Sequence, residues 1–328
     1  MSSGRNERRA GATALATATS LALLLLVAGS AQAAFPGRNG DIYFQTETGS
    51  GTVIARVGPN GKKFRRLTPA RIDAESVSVS PDGKRLAFEC EPTPGPSDVC
   101  LANRNGKRLR TIARHPAADD GDPAWSPNGK WIVFESNRDG DNEIFKVRAN
   151  GRGLRQLTHN DGEDEDPAWS TRNQFTWEHS DEEGGTTDIW VMRADGSGQR
   201  NLTNDPDADD ADPTFSPNGR LIAWDRDPFL PGTSDDIWVM RNDGSRKRRI
   251  TTHPADDEDP SFSPNGKLIA FSSERGALGN EEIFVMRANG TGQRRVLTRS
   301  ADDSAPDWAV KPKAKRKKGK KGKKGKRR

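Results

Sequence analysis

Four aspartates at one position of a repeated sequence pattern are the side chains most able to do chemistry in this chain. Each stands directly before a proline: Asp122, Asp166, Asp212 and Asp259. If the repeats surround a common axis, we expect these carboxylates at the start of the innermost strands, around the mouth of the central channel. There they could hold a hard cation such as Ca²⁺, which prefers oxygen ligands. The alternative is that each carboxylate caps backbone amides in its own loop. The segment 139–143, DGDNE, resembles a calcium-binding loop only superficially.

The histidines do not form a catalytic arrangement. His115, His159 and His253 come early in loops that separate different repeats, too far apart to share a metal or a proton relay, and His179 stands alone. The sequence has no G-x-S-x-G nucleophile motif. We therefore expect no catalytic residues and no cofactor apart from the Ca²⁺ considered above, and the sequence favours a protein that is not an enzyme.

The segment 122–158 shows which elements position these residues. It contains four strand-like runs, 124–125, 131–135, 143–148 and 154–158. Ser126-Pro127-Asn128-Gly129 separates the first two, and proline followed by glycine is typical of a tight turn. Asn150-Gly151 separates the last two, and Asn-Gly between apolar residues is a strong hairpin signal. The segment therefore predicts a four-stranded antiparallel meander.

The chain repeats this meander. The prolines that open the first strands lie 44, 46, 47 and 46 residues apart: Pro123, Pro167, Pro213, Pro260 and Pro306. This spacing is close to the length of a four-stranded propeller blade. An earlier copy runs through Ser76–Ser80, so six first strands predict six blades. In one blade Ser170-Thr171-Arg172-Asn173 replaces the Pro-Asn-Gly turn, and we expect that turn to be one residue shorter.

The two ends of the repeat region complete each other. The first blade opens with the runs 41–45, 52–57 and 64–68, which correspond to strands two, three and four. At the other end Ala305–Val310 is a first strand with nothing after it. Pairing the two ends closes the ring and removes its exposed edges. The predicted fold is an all-β, six-bladed propeller of four-stranded antiparallel blades, closed by the C-terminal strand joining the N-terminal blade.

The repeat resembles a known family. The pattern is D-P-x-[WF]-S-P-[ND]-G, then I-x-[FW], then [DE]-I-[WF]-V-M-R-A-[ND]-G and L-T. It is similar to the TolB-type propeller repeat from about Ile42 to Val310. The resemblance implies a six-bladed propeller, a fold that serves binding proteins, peptidase accessory domains and a few lyases. TolB also has an N-terminal α/β domain, which we expect to be absent here because the first blade begins near the predicted cleavage site; this argues against a place in a Tol–Pal complex.

The N-terminal segment predicts export. Arg5, Arg8 and Arg9 precede the apolar run 21–27, and Ala31-Gln32-Ala33 offers a small-residue cleavage site. This is typical of a secretory signal peptide, and the apolar run is too short to span a membrane. The expected domains are a signal peptide (1–33), the propeller (34–310) and a disordered basic tail (311–328). An exported protein, whether secreted, periplasmic or bound to the cell envelope, follows from cleavage near Ala33.

The chain has two cysteines, Cys90 and Cys100, at either side of a predicted hairpin. In an oxidising compartment we expect them to form a disulfide. Closing so short a loop would stabilise the protein by roughly 2–3 kcal/mol on the chain-entropy estimate. Two separate buried thiols are the alternative.

Opposite charges separate along the chain and across the predicted ring. Of the 52 Lys+Arg and 47 Asp+Glu, residues 1–33 hold three Arg and one Glu and residues 311–328 hold 13 Lys and Arg, so the propeller body carries 36 against 46. Loops between blades, which share a face with the turns between strands two and three, are acidic. We call this the acidic face. Turns between strands one and two and between three and four form the other face, the basic face.

The C-terminal tail, KPKAKRKKGKKGKKGKRR, is low in complexity and predicts a disordered segment that binds anionic partners. The residues expected to bind are Lys313, Lys315, Arg316, Lys317, Lys318, Lys320 and Lys321. Outside the cytoplasm, an anionic cell-envelope polymer or an anionic lipid surface fits better than nucleic acid. A solubilising tail without a specific partner is the alternative.

Taken together, these features predict an exported, monomeric, non-catalytic propeller that serves as a binding scaffold of the cell envelope and engages a protein or an anionic polymer. One alternative is a carbohydrate-active lyase or hydrolase that uses a metal at the acidic face. A second is a nucleic-acid-binding protein that acts through the basic tail.

Overall fold

Six four-stranded antiparallel sheets make up the part of the chain that the structure describes. The computed structural model describes residues 34–91, 95–181, 185–276 and 279–313. The predicted signal peptide lies outside these residues, as does the tail beyond Lys313. The first strands of the six sheets contact one another in a closed circle, so the sheets are the blades of a propeller around a central channel. The predicted fold is confirmed.

The strands follow the repeat in chain order. Blade 1 contains β1 (Asn39–Thr48), β2 (Gly51–Val57) and β3 (Arg65–Arg66); a short 3-10 turn (Ala70–Ile72) follows. Blade 2 contains β4 (Ala74–Val79), β5 (Arg85–Cys90), β6 (Asp98–Asn103) and β7 (Arg110–Ala113). Blade 3 contains β8 (Asp120–Trp125), β9 (Trp131–Ser136), β10 (Glu143–Arg148) and β11 (Arg155–Gln156). Blade 4 contains β12 (Glu163–Trp169), β13 (Gln174–Ser180), β14 (Thr187–Arg193) and β15 (Arg200–Asn201). Blade 5 contains β16 (Ala208–Phe215), β17 (Leu221–Pro228), β18 (Asp236–Arg241) and β19 (Arg248–Arg249). Blade 6 contains β20 (Asp257–Phe262), β21 (Leu268–Ser273), β22 (Glu282–Arg287) and β23 (Arg294–Arg295). The last strand is β24 (Asp303–Val310).

The outermost strands are shorter than the sequence predicts. The runs 64–68 and 154–158 contribute only two paired residues each, in β3 and β11. The rest of each run leaves the ladder: its apolar side chain packs on the next blade, as Leu157 does, and its threonine binds within its own blade. Thr158 shows the reason, because its Oγ1 accepts the backbone N–H of Ile144 at 2.8 Å and takes the place of a ladder bond. No helix among the described residues is long and apolar enough to cross a membrane.

Strand β24 closes the ring by pairing antiparallel with β1. The register aligns Thr46 with Asp303, Ile42 with Trp308 and Asn39 with Val310. Trp308 is 1% exposed and packs with Ile42 and Phe44, so the seam contains buried core. Burying so large an aromatic side chain stabilises the closure in addition to the hydrogen-bond ladder.

Blade 4 keeps the repeat despite its altered turn. The N–H of Ser126 donates to the carbonyl of Trp131, five residues on, whereas Ser170 donates to Gln174, four residues on. Asn173 takes the left-handed backbone conformation, with φ 62°, that Gly129 takes in blade 3. Asparagine tolerates this conformation better than most residues. The turn is therefore one residue shorter, and the strands after it stay in register.

The hydrophobic core lies between neighbouring blades. Side chains of one blade's middle strands pack on those of the next, as Phe88 of blade 2 does on Tyr43 and Ile54 of blade 1. Blade 2 also carries a disulfide between Cys90 on β5 and Cys100 on β6, with the two Cα atoms 5.9 Å apart. Both cysteines are buried, so the bond joins the two central strands inside the core.

Removing β24 should destabilise the whole ring. We expect a chain truncated before Asp303 to aggregate or to lose several kcal/mol of stability, because it exposes an edge strand and the pocket of Trp308. A chain truncated after Lys313 keeps every seam contact and is the matched control. Thermal unfolding of the two proteins makes the comparison. Equal melting temperatures would contradict closure by this strand.

Candidate functional site in the propeller channel

Two rings of polar side chains surround the central channel. The first ring comes from the innermost strands, one residue per blade: Ser76, Asp122, Asp166, Asp212, Asp259 and Ala305. The second comes from the neighbouring strands: Gln45, Glu89, Glu135, Glu178, Asp225 and Ser272. All six residues of the first ring have positive φ, between 43° and 53°. They lie where the register between first and second strands shifts, which is a β-bulge in every blade.

The four predicted aspartates therefore occupy a different place from the one expected. We predicted them at the start of the innermost strand and at the mouth of the channel, but Asp122 is the third residue of β8 and is 2% exposed. Asp166 and Asp259 are similarly buried, and Asp212 is partly buried. A bulge turns the side chain inward, which sequence periodicity alone does not reveal.

Hydrogen bonds between the rings connect most blades to the next. Because the bulge removes the amide of a first-ring residue from the ladder, that amide needs another acceptor. The amide of Asp166 donates to Glu135 at 3.0 Å, and the amide of Asp212 donates to Glu178 at 3.0 Å. At the seam the amide of Ser76 donates to Oε1 of Gln45 at 2.9 Å. A side chain of one blade thus satisfies the backbone of the following blade.

For Asp259, the contacts differ from the local capping considered above. Oδ2 of Asp259 accepts the hydroxyl of Ser272 at 2.6 Å and the amide of Ala305 at 3.0 Å. Ala305 belongs to the next innermost strand rather than to the loop of Asp259. The aspartate therefore acts across the seam, and within the described residues its Oδ1 has no hydrogen-bond partner.

Burial raises the pKa of the channel carboxyls. Burial is the largest cause in each case, and it brings the pKa of Asp122 to about 7 and that of Glu178 to about 8. Neighbouring carboxylates add to the effect, and Asp122 raises the pKa of Glu135 further. Oδ1 of Asp122 and Oδ1 of Asp212 are buried and have no hydrogen-bond partner within the described residues. These carboxyl groups therefore favour the binding of a proton or a metal cation in the channel.

Three of these side chains form a candidate cation site. Each residue contributes one carboxylate oxygen, and the three oxygens, from Asp122, Glu135 and Asp166, lie within 4.8 Å of one another. This spacing suits oxygen ligands around one hard cation. The structure thus brings two of the predicted aspartates together and adds Glu135, while Asp212 and Asp259 lie outside this group. A second acidic group, Asp139 with Asp141 and Glu143, is the loop that resembles a calcium-binding motif, and Asp139 is exposed.

Sequence reasoning missed the second ring. The signal was present, because a carboxylate ends the apolar run of strand two in four consecutive blades: Glu89, Glu135, Glu178 and Asp225. A charged residue at the same place in several buried strands indicates a polar partner inside the fold.

The histidines are placed separately, as predicted. His159 and His253 are exposed, and His115 is half-buried, each in a different loop. His179 contacts Asp164 through Nδ1 at 2.6 Å, and this hydrogen bond raises the pKa of His179. None of the four forms part of the cation site.

The two faces of the ring differ in charge. The turns between strands three and four join those between strands one and two through hydrogen bonds, such as Ala149 N–H to Lys130 O at 2.8 Å. Twelve exposed basic residues lie in or beside these turns: Lys62, Lys63, Lys84, Lys107, Arg108, Lys130, Arg152, Arg220, Arg246, Lys247, Arg248 and Lys267. Exposed acids among them are Asp82, Asp195 and Asp243. On the acidic face, several carboxylates are instead drawn inside and bind arginines, as Asp120 binds Arg138.

Comparison with known proteins agrees with this architecture. A family model described as the TolB β-propeller domain matches residues 73–228. A TolB homologue of Chlorobium luteolum is 30% identical over 99 residues, which are 30% of this chain and 22% of that protein. The Tol-Pal system protein TolB of Syntrophus aciditrophicus is 38% identical over 53 residues, or 16% of this chain and 12% of the relative. The matched segments thus span less than a quarter of these relatives.

The crystal structure of TolB from Acinetobacter baumannii superposes with a TM-score of 0.71 at 20% identity, over 83% of this chain and 67% of that one. At this identity the likeness shows the fold. The fold and the channel define a closed, six-bladed β-propeller. With the matched repeats, the protein carries a TolB-like six-bladed β-propeller.

The charge of Glu178 should make stability depend on pH. The folded state keeps the proton of the Glu178 carboxyl up to about pH 8, whereas the unfolded chain releases it near pH 4.5. The stabilisation from the protonated carboxyl is therefore complete below about pH 4.5 and is lost as the pH rises through 8. Between about pH 5 and 8, we expect the free energy of unfolding of Glu178→Gln to fall by roughly 1–2 kcal/mol less than that of the wild type. Glutamine still accepts the amide of Asp212, as Gln45 accepts that of Ser76. The measurement is urea unfolding at several pH values.

The exchange Glu163→Gln, on an exposed side chain of the same blade, is the control and should leave the pH dependence unchanged. Parallel pH profiles for the wild type and Glu178→Gln would show that the channel carboxyl does not hold its proton as described.

Proposed function

We propose that this protein is an exported, non-catalytic binding propeller of the cell envelope, which engages a protein or an anionic polymer. The TolB-like propeller supports this proposal, because a relative with the same repeats is named as a Tol-Pal system protein. Export is supported by the signal-peptide pattern of residues 1–33. N-terminal sequencing of the mature protein tests it, and a chain that still begins at Met1 would contradict it.

One observation carries the proposal that the channel binds a cation. Gln45 makes the same hydrogen bond to the next blade that Glu135 and Glu178 make, and it does so without a charge. The fold therefore needs an acceptor at this position but not a carboxylate. Carboxylates whose pKa is raised by burial cost stability unless a counter-charge is bound. We infer that the charge serves to bind a hard cation, with Ca²⁺ the best fit to the oxygen ligands.

Calcium should raise the melting temperature of the protein after dialysis against a chelator. We expect the shift to be lost in the double variant Asp122→Asn, Asp166→Asn, because it removes two of the three ligands. The same shift should persist in Asp139→Asn, Asp141→Asn, which alters the surface acidic loop. Calorimetric titration with Ca²⁺ gives the stoichiometry. A calcium response that survives the channel variant, or disappears only in the loop variant, would move the site elsewhere.

The basic face and the tail are proposed to act together on an anionic surface. Strand β24 ends at Val310, and the backbone N–H of Lys311 donates to Arg38 at 2.7 Å, so the chain leaves the ring beside the exposed basic turns. Gly83, in the first of these turns, lies against the carbonyl of Val310. Exposed like charges gathered on one face attract anions most strongly at low salt.

Deleting residues 314–328 should weaken binding to vesicles that contain phosphatidylglycerol, and salt should weaken binding of the whole chain. Charge reversal at Lys107 and Lys247 should add to the loss, since both lie exposed on the basic face. The matched control neutralises Asp119, Glu163 and Asp207, which are exposed on the acidic face. Co-sedimentation measures the bound fraction. Binding that survives both changes on the basic face would contradict the proposal.

The alternative to a binding scaffold is a carbohydrate-active lyase or hydrolase that uses the channel cation. The candidate ligands belong to buried or partly buried side chains. Turnover of anionic polysaccharides by the calcium-loaded protein, lost in the Asp122→Asn, Asp166→Asn variant, would establish this function in place of a binding scaffold.

A further inference from the structure

Three blades place an arginine between an aromatic side chain and a buried carboxylate. In blade 3 the guanidinium of Arg138 lies 4.8 Å from the ring centre of Phe145 and binds Asp120. Blade 6 repeats this with Arg275, which lies 5.4 Å from the ring of Phe284 and binds Asp257. In each case the cation stacks on the third strand and neutralises a carboxylate of the first strand.

Blade 5 has the same arrangement and provides the closest template for blade 4. Arg226 lies 5.3 Å from the ring centre of Trp238 and binds Asp210 and Asp205. A second arginine, Arg249, binds Asp236 at the start of the third strand. Both guanidinium groups therefore cover the outer part of the blade at the acidic face.

Blade 4 shares the surroundings but not the arginines. Trp177 and Trp190 lie 6.1 Å apart, as do Trp224 and Trp238 of blade 5. The indole N–H of Trp177 donates to Asp164, and that of Trp224 donates to Asp210. The registers of the two blades then align His179 with Arg226 and Asn201 with Arg249. Two arginines of blade 5 are thus replaced by smaller side chains.

These replacements leave an open cavity of about 520 Å³. Its lining includes His179, Asp188, Trp190, Asn201 and Asp205. The ring of His179 meets Trp190 edge to face at 5.0 Å, so it does not cover the indole as an arginine would. A volume of this size falls within the range of small-molecule and side-chain binding sites.

The cavity also has a carboxylate without a counter-charge. Asp188 is 9% exposed and accepts hydrogen bonds from Asn201 and Thr203, both at 2.8 Å. No Lys, Arg or His nitrogen of the described chain lies within salt-bridge distance of it. Of the equivalent carboxylates, Asp98, Asp236 and Glu282 each bind an arginine, whereas Glu143 of blade 3 forms no salt bridge within the described residues. A buried carboxylate gains most from a charged partner when few other charges compensate it.

We propose that the cavity of blade 4 binds a guanidinium group, which stacks on Trp190 and pairs with Asp188 in the place that arginines fill in blade 5. A guanidinium fits better than an ammonium because it is planar, stacks on aromatic rings and forms two parallel hydrogen bonds to a carboxylate. The group could belong to a free guanidino compound or to an arginine side chain of a peptide. The inference does not depend on export or on the channel cation.

The test compares binding of a guanidino compound to the wild type with binding to a variant that carries an arginine in the cavity. In titration calorimetry, the full protein should bind agmatine with a stoichiometry of one, and more tightly than it binds the ammonium analogue cadaverine. His179→Arg copies Arg226 of blade 5, so it should preserve folding and weaken agmatine binding by at least about tenfold. His159→Arg makes the same exchange on an exposed loop and should bind as the wild type does.

Asp188→Asn provides a second variant, because it removes the charge while keeping the shape and should weaken binding by a similar factor. Comparing agmatine with the peptide acetyl-Gly-Arg-Gly-amide separates the two sources: tighter binding of the peptide indicates a protein partner, and tighter binding of agmatine a small molecule. The proposal is overturned if the wild type binds neither probe, if cadaverine binds as well as agmatine, or if His179→Arg binds unchanged.

Discussion

A backbone amide that the β-ladder cannot satisfy determines how the blades fit together. The bulge in each innermost strand places one residue at positive φ and leaves its N–H inside the protein. Leaving such a group unpaired would cost about 1–3 kcal/mol. Blades 1, 2, 4, 5 and 6 avoid this cost by receiving an acceptor from the blade before them, and Gln45 and Ser272 provide it on the two sides of the seam. Closure by β24 and the polarity of the channel therefore have one cause.

The requirement for an acceptor explains the polar ring but not its charge. Neutral acceptors such as Gln45 and Ser272 are found beside the seam, whereas Glu135 and Glu178 occupy the same position in the middle of the chain. The two carboxylates are partly buried among others, and their pKa values are raised accordingly. At neutral pH the folded state must therefore hold a proton on Glu178 that the unfolded chain has released, and this opposes stability. Residues that oppose stability without a structural need are commonly those that serve binding.

The sequence predicted the features that depend on local chemistry. The turns, the blade count and the closing strand follow from Pro-Asn-Gly turns and a regular spacing of prolines, and the shortened turn at Asn173 follows from the tolerance of asparagine for positive φ. The burial of Asp122 and the role of Glu135 could not be predicted in this way. Both depend on the bulge and on a partner in another blade, which neither propensity nor periodicity records. The sequence placed His179 in the irregular blade, but only the structure shows that it occupies the position of Arg226.

The internal repeats make that comparison possible. Six copies of one unit fold in the same protein, so a residue that departs from its counterparts can be judged against the same backbone and the same neighbours. Trp177 and Trp190 keep the spacing of Trp224 and Trp238, so the blade keeps its packing with His179 in the position of an arginine. The arginine is therefore dispensable for folding at this position. The cavity at this position, with the indole of Trp190 beside the carboxylate of Asp188, is complementary in shape and charge to a guanidinium group.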